Sequence, residues 1–216
     1  MNVLLPFCYF GNLDYYSHLV QHSSTIELWE NMPKRTERAR CCIRSAQGTE
    51  MLIAPLDRST HSGPIQDVKL SQEPWLKQHF KSLITNYNSS PFFEHFILEL
   101  EAFFQSTFTY LIDLNTSAHA LVEELLGRKI PLSFSEEFHK EFDGLDRREH
   151  FRSSKFTSCF TNPIYEQVFS ERLDFCPSLS VLDLLFNEGP AGYQYLTQNP
   201  FIHGENIGKE TRLSVQ

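Results

Sequence analysis

The chain opens on a nearly unbroken apolar run, NVLLPF at 2–7, a pattern that predicts a short buried strand. Gly11-Asn12 punctuates it, and Leu13, Tyr16, Leu19 and Val20 then recur at helical spacing. STIELWE at 24–30 alternates apolar and polar residues as a strand does. RCCIRS and EMLIAPL are two further strand-like runs, separated by the hairpin signal Ala46-Gln47-Gly48-Thr49. The first part of the chain thus predicts strand, helix, strand and hairpin.

Beyond residue 70 the period changes. Trp75, Leu76, His79, Phe80, Leu83, Ile84 and Tyr87 fall at three- and four-residue spacing, as do Phe93, Phe96, Ile97, Leu100, Phe103 and Phe104. NSSP separates these two helices, with Ser89 or Ser90 as cap and Pro91 at the first helical position. A third helix ends at Gly127, and residues 136–163, polar and without period, predict a long mobile loop. The expected fold class is α/β: a small N-terminal sheet with a crossover helix and hairpin, followed by a largely α-helical C-terminal half. One domain spans 1–216, with 1–70 strand-rich and 71–216 helix-rich.

Composition agrees with a single core, since 41% of 216 residues are apolar. The N-terminus lacks a basic segment and its apolar run is broken by Pro6 and Gly11, so neither a signal peptide nor a membrane span is expected. Five cysteines, odd in number and without a Cys-x-x-Cys pair, point to reduced thiols and a cytoplasmic location.

Charge adds an asymmetry. The chain carries −8 overall, yet Lys34, Arg35, Arg38, Arg40 and Arg44 stand against Glu37 alone in one short stretch. The overall acidity excludes a general nucleic-acid binder, which needs a sustained cationic face. A local basic turn suits a small anion, although charges flanking a strand also serve to discourage edge pairing. Arg147, Arg148, Arg152 and Lys155 form a second basic patch, placed to close over the same ligand.

Near the C-terminus, CPSLSVLDLLFNEGP places Asp183 and Asn187 four residues apart on an apolar helix. A Ser180-x-x-Asp183 capping box accounts for the carboxylate, with Gly189 as the left-handed cap and Pro190 as the stop. The amide is left over. Upstream, Tyr165 and Gln167 share one side of an extended segment and serve either to hold a substrate or to tie a strand edge to a loop.

Other chemistry finds little support. His18 and His22 have helical metal-ligand spacing but no third ligand is indicated, so no metal site is expected. Cys41 and Cys42 lie among arginines without a histidine base in the sequence nearby, and one of the two must point inward in a strand. Phosphate-cradling Gly-rich loops, the Gly-x-Ser-x-Gly elbow and the dinucleotide fingerprint are all missing from the sequence, and no cofactor is expected.

In order and spacing, LLPFCYFGNLDYY, the basic stretch ending in Arg40, WLKQHFKSLITNYNSSPFFEHF and YEQVF…FCPSLSVLDLLFNEGP resemble the WbqC-like proteins of bacteria, from about residue 4 to 196. The resemblance implies a role in cell-surface polysaccharide biosynthesis, with transfer of an amino acid or acyl group to a sugar. Many members begin with His-Gln-Pro where this chain has Leu4-Leu5-Pro6, and many carry Asn-Arg where it has Ala39-Arg40. A possible general base is therefore gone and the arginine remains.

The expectation is a protein that binds an anionic small molecule such as a nucleotide-sugar through Arg40, Tyr165, Gln167, Asp183 and Asn187, around one shared hollow. The catalytic residues are not identified. The competing expectation is a non-catalytic partner in a biosynthetic complex, with the aromatic helices as its interface; exposure of the Phe92–Phe104 stripe separates the two.

Overall fold

The computed structural model describes residues 1–152 and 158–202. Its centre is strand β1 (Asn2–Pro6), which pairs in parallel with β2 (Ser23–Glu27) on one side and with β6 (Leu145–Asp146) on the other. β5 (Ser133–Phe134) extends the sheet beyond β2, giving the order β5-β2-β1-β6, all parallel. A central strand is covered on both faces, which is why Val3, Leu4 and Leu5 are wholly buried and the run shows no alternation. Pro6 ends the strand, where its missing N–H leaves the ladder intact.

Helix α1 (Leu13–Gln21) crosses from β1 to β2, and its N-cap Asn12 accepts from the Tyr15 N–H at 2.9 Å. β2 stops at Glu27, three residues before the alternating pattern does. The predicted hairpin is present as β3 (Arg40–Ser45) and β4 (Gly48–Ile53), a separate two-stranded sheet closed by Ala46-Gln47. Of the paired cysteines in β3, Cys41 is buried and Cys42 half-buried, as alternation requires.

Two short strands come from regions without a periodic signal. β6 lies inside 136–163, the segment predicted as a loop, and β5 just before it. Two residues each are too few to show a period, so the sheet itself selects them. Residues 153–157 of that segment, Lys155 among them, lie outside the described residues.

The second half is helical: α2 (Trp75–Tyr87), α3 (Ile97–Gln105), α4 (Leu111–Leu126), α5 (Val181–Glu188) and α6 (Gly192–Gln198). α4 ends at Gly127, which takes the left-handed conformation at φ 62°. α3 begins later than predicted. Residues 91–96 form a turn and a short 3-10 segment, and the Ser90 hydroxyl donates to the Tyr87 carbonyl, closing α2 rather than capping α3.

Two contacts tie the halves together. Asn115 of α4, fully buried, donates to the carbonyls of Phe7 (2.9 Å) and Arg38 (3.0 Å), joining the exit of β1 to the approach to β3. The start of α5 docks where the Ser180 N–H meets Cys42 O (2.8 Å) and the Val181 N–H meets Gly11 O (2.9 Å). The C-terminal helix is thereby fixed against both the N-terminal loop and the hairpin.

Candidate functional site

All four parallel strands end on one edge of the sheet, and strand order reverses at β1, between β2 and β6. Such reversals open a crevice at the carboxyl ends of strands. Here polar groups fill that edge. Glu27, at the end of β2, accepts from Ser135 Oγ (2.8 Å), Trp29 N (2.9 Å) and His139 N (2.9 Å). Burial pushes its carboxyl up, but these donors outweigh it and hold the group below the usual carboxylate range. Arg148 grips Asp146 through two nitrogens and reaches Glu27 at 3.5 Å. Arg38, fully buried, donates to Glu30 at 2.7 Å and to Thr36 Oγ1 at 2.6 Å.

Two members of the expected second basic patch are therefore spoken for. Arg148 serves Asp146 and Glu27, and Arg152 pairs with Glu149. Uncompensated charge lies on the other side of the buried Arg38.

There, a cleft of about 430 Å³ runs between the exit of β2 and the hairpin. Its walls are Met32, Pro33, Ala39, Ile53, Ala54, Pro55 and Leu56, and its polar lining is Lys34, Arg35, Thr36, Arg40 and His61. No carboxylate lines it. Among the described residues, Lys34, Arg35 and Arg40 form no ion pair. Arg40 is instead held by its own turn, donating from Nη2 to the Arg35 carbonyl at 2.6 Å. Arg35 takes φ +53°, a left-handed conformation that costs a non-glycine residue roughly 1–3 kcal/mol and gathers at binding sites.

One carboxyl sits close by. Burial first, and the Asp14 charge second, push Glu37 up to about 8, against the pull of Arg40. At neutral pH Glu37 is mostly protonated and leaves the arginine's charge in force.

The C-terminal motif meets elsewhere. Asp183, wholly buried, accepts from Tyr87 Oη at Oδ1 (2.7 Å) and from Tyr165 Oη (2.6 Å) and Gln167 Nε2 (2.9 Å) at Oδ2. Its burial outweighs these three donors and raises its pKa. The capping-box account of Asp183 fails on this geometry: Ser180 Oγ accepts from Leu182 N at 3.3 Å and donates to Phe10 O at 2.7 Å, while the carboxyl faces the tyrosines. Asn187 donates to the Asp183 carbonyl one turn back at 2.7 Å. Gly189 does close α5, though at φ 57°, ψ −141°, outside the left-handed helical region.

A second cavity, about 490 Å³, is lined by Gln167 and Asn187 together with Glu166, Glu171, Glu188 and Arg172. Its acidic rim is opposite in character to the cleft at Arg40. The two cavities share no lining residue, and Tyr165 and Asp183 line neither. Of the five predicted binding residues, the fold joins Tyr165, Gln167, Asp183 and Asn187 and sets Arg40 apart. Sequence alone missed Lys34 and Arg35 as cleft residues in their own right, His61, and Tyr87, whose place in an aromatic stripe marked it only as core.

A family model, the WbqC-like protein family, matches residues 8–149, two thirds of the chain. The chain belongs to the WbqC-like protein family. Searches of curated proteins and of solved structures gave no match. The matched residues contain the whole cationic cleft and the charged strand ends, and they stop before Tyr165. In this WbqC-like chain Leu4 and Leu5 are buried β1 core, without access to a ligand. Ala39 forms part of the apolar wall beside Arg40.

Proposed function

We propose that this WbqC-like chain acts in bacterial cell-surface polysaccharide biosynthesis, binding an anionic activated sugar or carrier and transferring a small acyl or aminoacyl group. The observation that carries the reading is the cleft itself: Lys34, Arg35, Arg40 and His61 over an apolar wall, with no lining carboxylate. Its volume of about 430 Å³ lies in the range that small-molecule sites occupy. Guanidinium groups bind phosphate oxygens in bidentate fashion, and the apolar wall suits the uncharged part of such a donor. With no histidine at positions 4 or 5, rate enhancement falls to positioning and to stabilisation of charge by Arg40.

The amide-lined cavity at Gln167 and Asn187 suits hydroxyl-rich, uncharged groups, and its acidic rim repels an anion. The Gln167 amide is itself tied to the fold, accepting from Cys176 N (2.9 Å) and donating to Cys176 O (3.0 Å) and Asp183 (2.9 Å). The Phe92–Phe104 stripe divides between the two readings: Phe93, Phe103 and Phe104 are buried, Phe92 and Phe96 half-buried and Leu98 exposed.

Titration calorimetry against a panel of nucleotide-sugars and acyl carriers tests this. An anionic ligand should bind, weaken with salt, and lose about tenfold or more in affinity on Arg40→Ala, the equivalent of one charged hydrogen bond. Unchanged affinity in folded Arg40→Ala and Arg35→Ala proteins overturns the reading.

A further inference from the structure

The most concentrated set of metal-ligating side chains is remote from the cleft in sequence and unused by the proposed transfer. Asp14 and His18 lie one turn apart on α1, and the chain returns some 130 residues later to bring His150 and Cys159 against them. Cys159 Sγ is 3.1 Å from Asp14 Oδ2, 3.3 Å from His18 Nε2 and 3.7 Å from His150 Nε2. His150 Nε2 is 4.0 Å from Asp14 Oδ2. Asp14, His18 and Cys159 are wholly buried, and the His150 side chain is 10% exposed.

We propose that Asp14, His150 and Cys159 hold a zinc-class transition-metal dication, with His18 against Cys159 at the edge of the site. The three ligand atoms all lie within 4.8 Å of one another. Metal–ligand bonds of about 2.0–2.3 Å place neighbouring ligands of a tetrahedron roughly 3.3–3.7 Å apart, and the separations of 3.1, 3.7 and 4.0 Å bracket that range. One sulfur, one imidazole nitrogen and one carboxylate oxygen are donors this class accepts.

Charge argues the same way. Asp14 is held as a carboxylate by the Cys159 N–H and the Ser158 hydroxyl, each at 2.6 Å, whereas the Cys159 thiol is a weak hydrogen-bond donor and gains little where it stands. A dication with Asp14 and a Cys159 thiolate is neutral overall. Binding releases the Cys159 proton to solvent as the metal–sulfur bond forms.

The surrounding residues fit outer support for such ligands. Asp14 Oδ1 accepts from Ser158 Oγ (2.6 Å) and from Asn162 Nδ2 (3.2 Å), and Asn162 Oδ1 accepts from Asn199 (3.1 Å). With its protein ligands buried or nearly so, the ion would pin α1 to the segment that follows β6.

Cobalt(II) titration of the metal-free full chain is the test. One equivalent should bind, with a thiolate-to-cobalt charge-transfer band in the near ultraviolet and the intense visible bands of tetrahedral cobalt, and zinc should displace it and raise the Tm. Cys159→Ser should abolish the near-ultraviolet band, whereas Cys176→Ser, at a half-exposed thiol, should keep it. Asn162→Ala should weaken binding about 10–100-fold, as loss of an outer partner does. The proposal is overturned by folded wild-type protein that takes up no cobalt, by a spectrum without a thiolate band, or by a band that survives Cys159→Ser. Should Cys159→Ser not fold, the wild-type spectrum and Asn162→Ala decide the matter alone.

Discussion

Tyr87→Phe removes one oxygen from a buried hydrogen-bond network. The Tyr87 phenol accepts from the backbone N–H of Arg44 at 2.8 Å and donates to Asp183 Oδ1 at 2.7 Å, and the residue has no exposure. The variant keeps the ring and its edge-on contact with Phe186. It orphans the Arg44 N–H, at a cost of about 1–3 kcal/mol, and takes from Asp183 a hydrogen bond worth about 1–2 kcal/mol. The sum is about 2–5 kcal/mol, a large share of the roughly 5–15 kcal/mol that a domain has in total. In urea, with a slope of about 2 kcal/mol per M, the midpoint should fall by about 1–2.5 M at unchanged slope. Pairing the change with Asp183→Asn should reveal a coupling of about 0.5–3 kcal/mol. A loss below about 1 kcal/mol with no coupling refutes the network as a stabilising feature, and Asp183 then returns to being a candidate for direct ligand contact.

Gly189→Ala should cost about 2–3 kcal/mol in urea unfolding, because φ 57°, ψ −141° is essentially closed to side chains and a Cβ there meets the Phe92 ring at 2.4 Å. A neutral result would mean that the Phe92 ring and the α5 terminus move together. Burial pushes His79 down to about 4 against donation to Ile53 O, while in the unfolded chain it protonates near 6.5. The unfolded state thus binds the extra proton between these values, so stability from this group is full above pH 6.5 and is lost as pH falls toward 4, by up to about 1.4 kcal/mol per pH unit. His79→Gln should flatten the acid limb of a stability profile by one proton; an unchanged slope would show that the ring is protonated in the fold.

Sequence by itself determined the elements whose own residues carry a period or a cap. β1 shows as an apolar run, the hairpin by its turn, α4 by the glycine at 127, and the helical second half by its three- and four-residue spacing, because each is decided by contacts within a few residues. The same local logic misassigned Asp183, since a Ser-x-x-Asp signature describes a cap equally well whether or not two tyrosines wait across the core. Tertiary structure alone decided the rest. It drew two-residue strands onto the sheet where no period could show, and it divided the basic stretch by depth, burying Arg38 and Arg44 while leaving Lys34 and Arg35 exposed. It also brought Cys159 across more than 140 residues to His18. The helical spacing of His18 and His22 was visible in the sequence, but partners held at that range are chosen by chain closure, which no local pattern records.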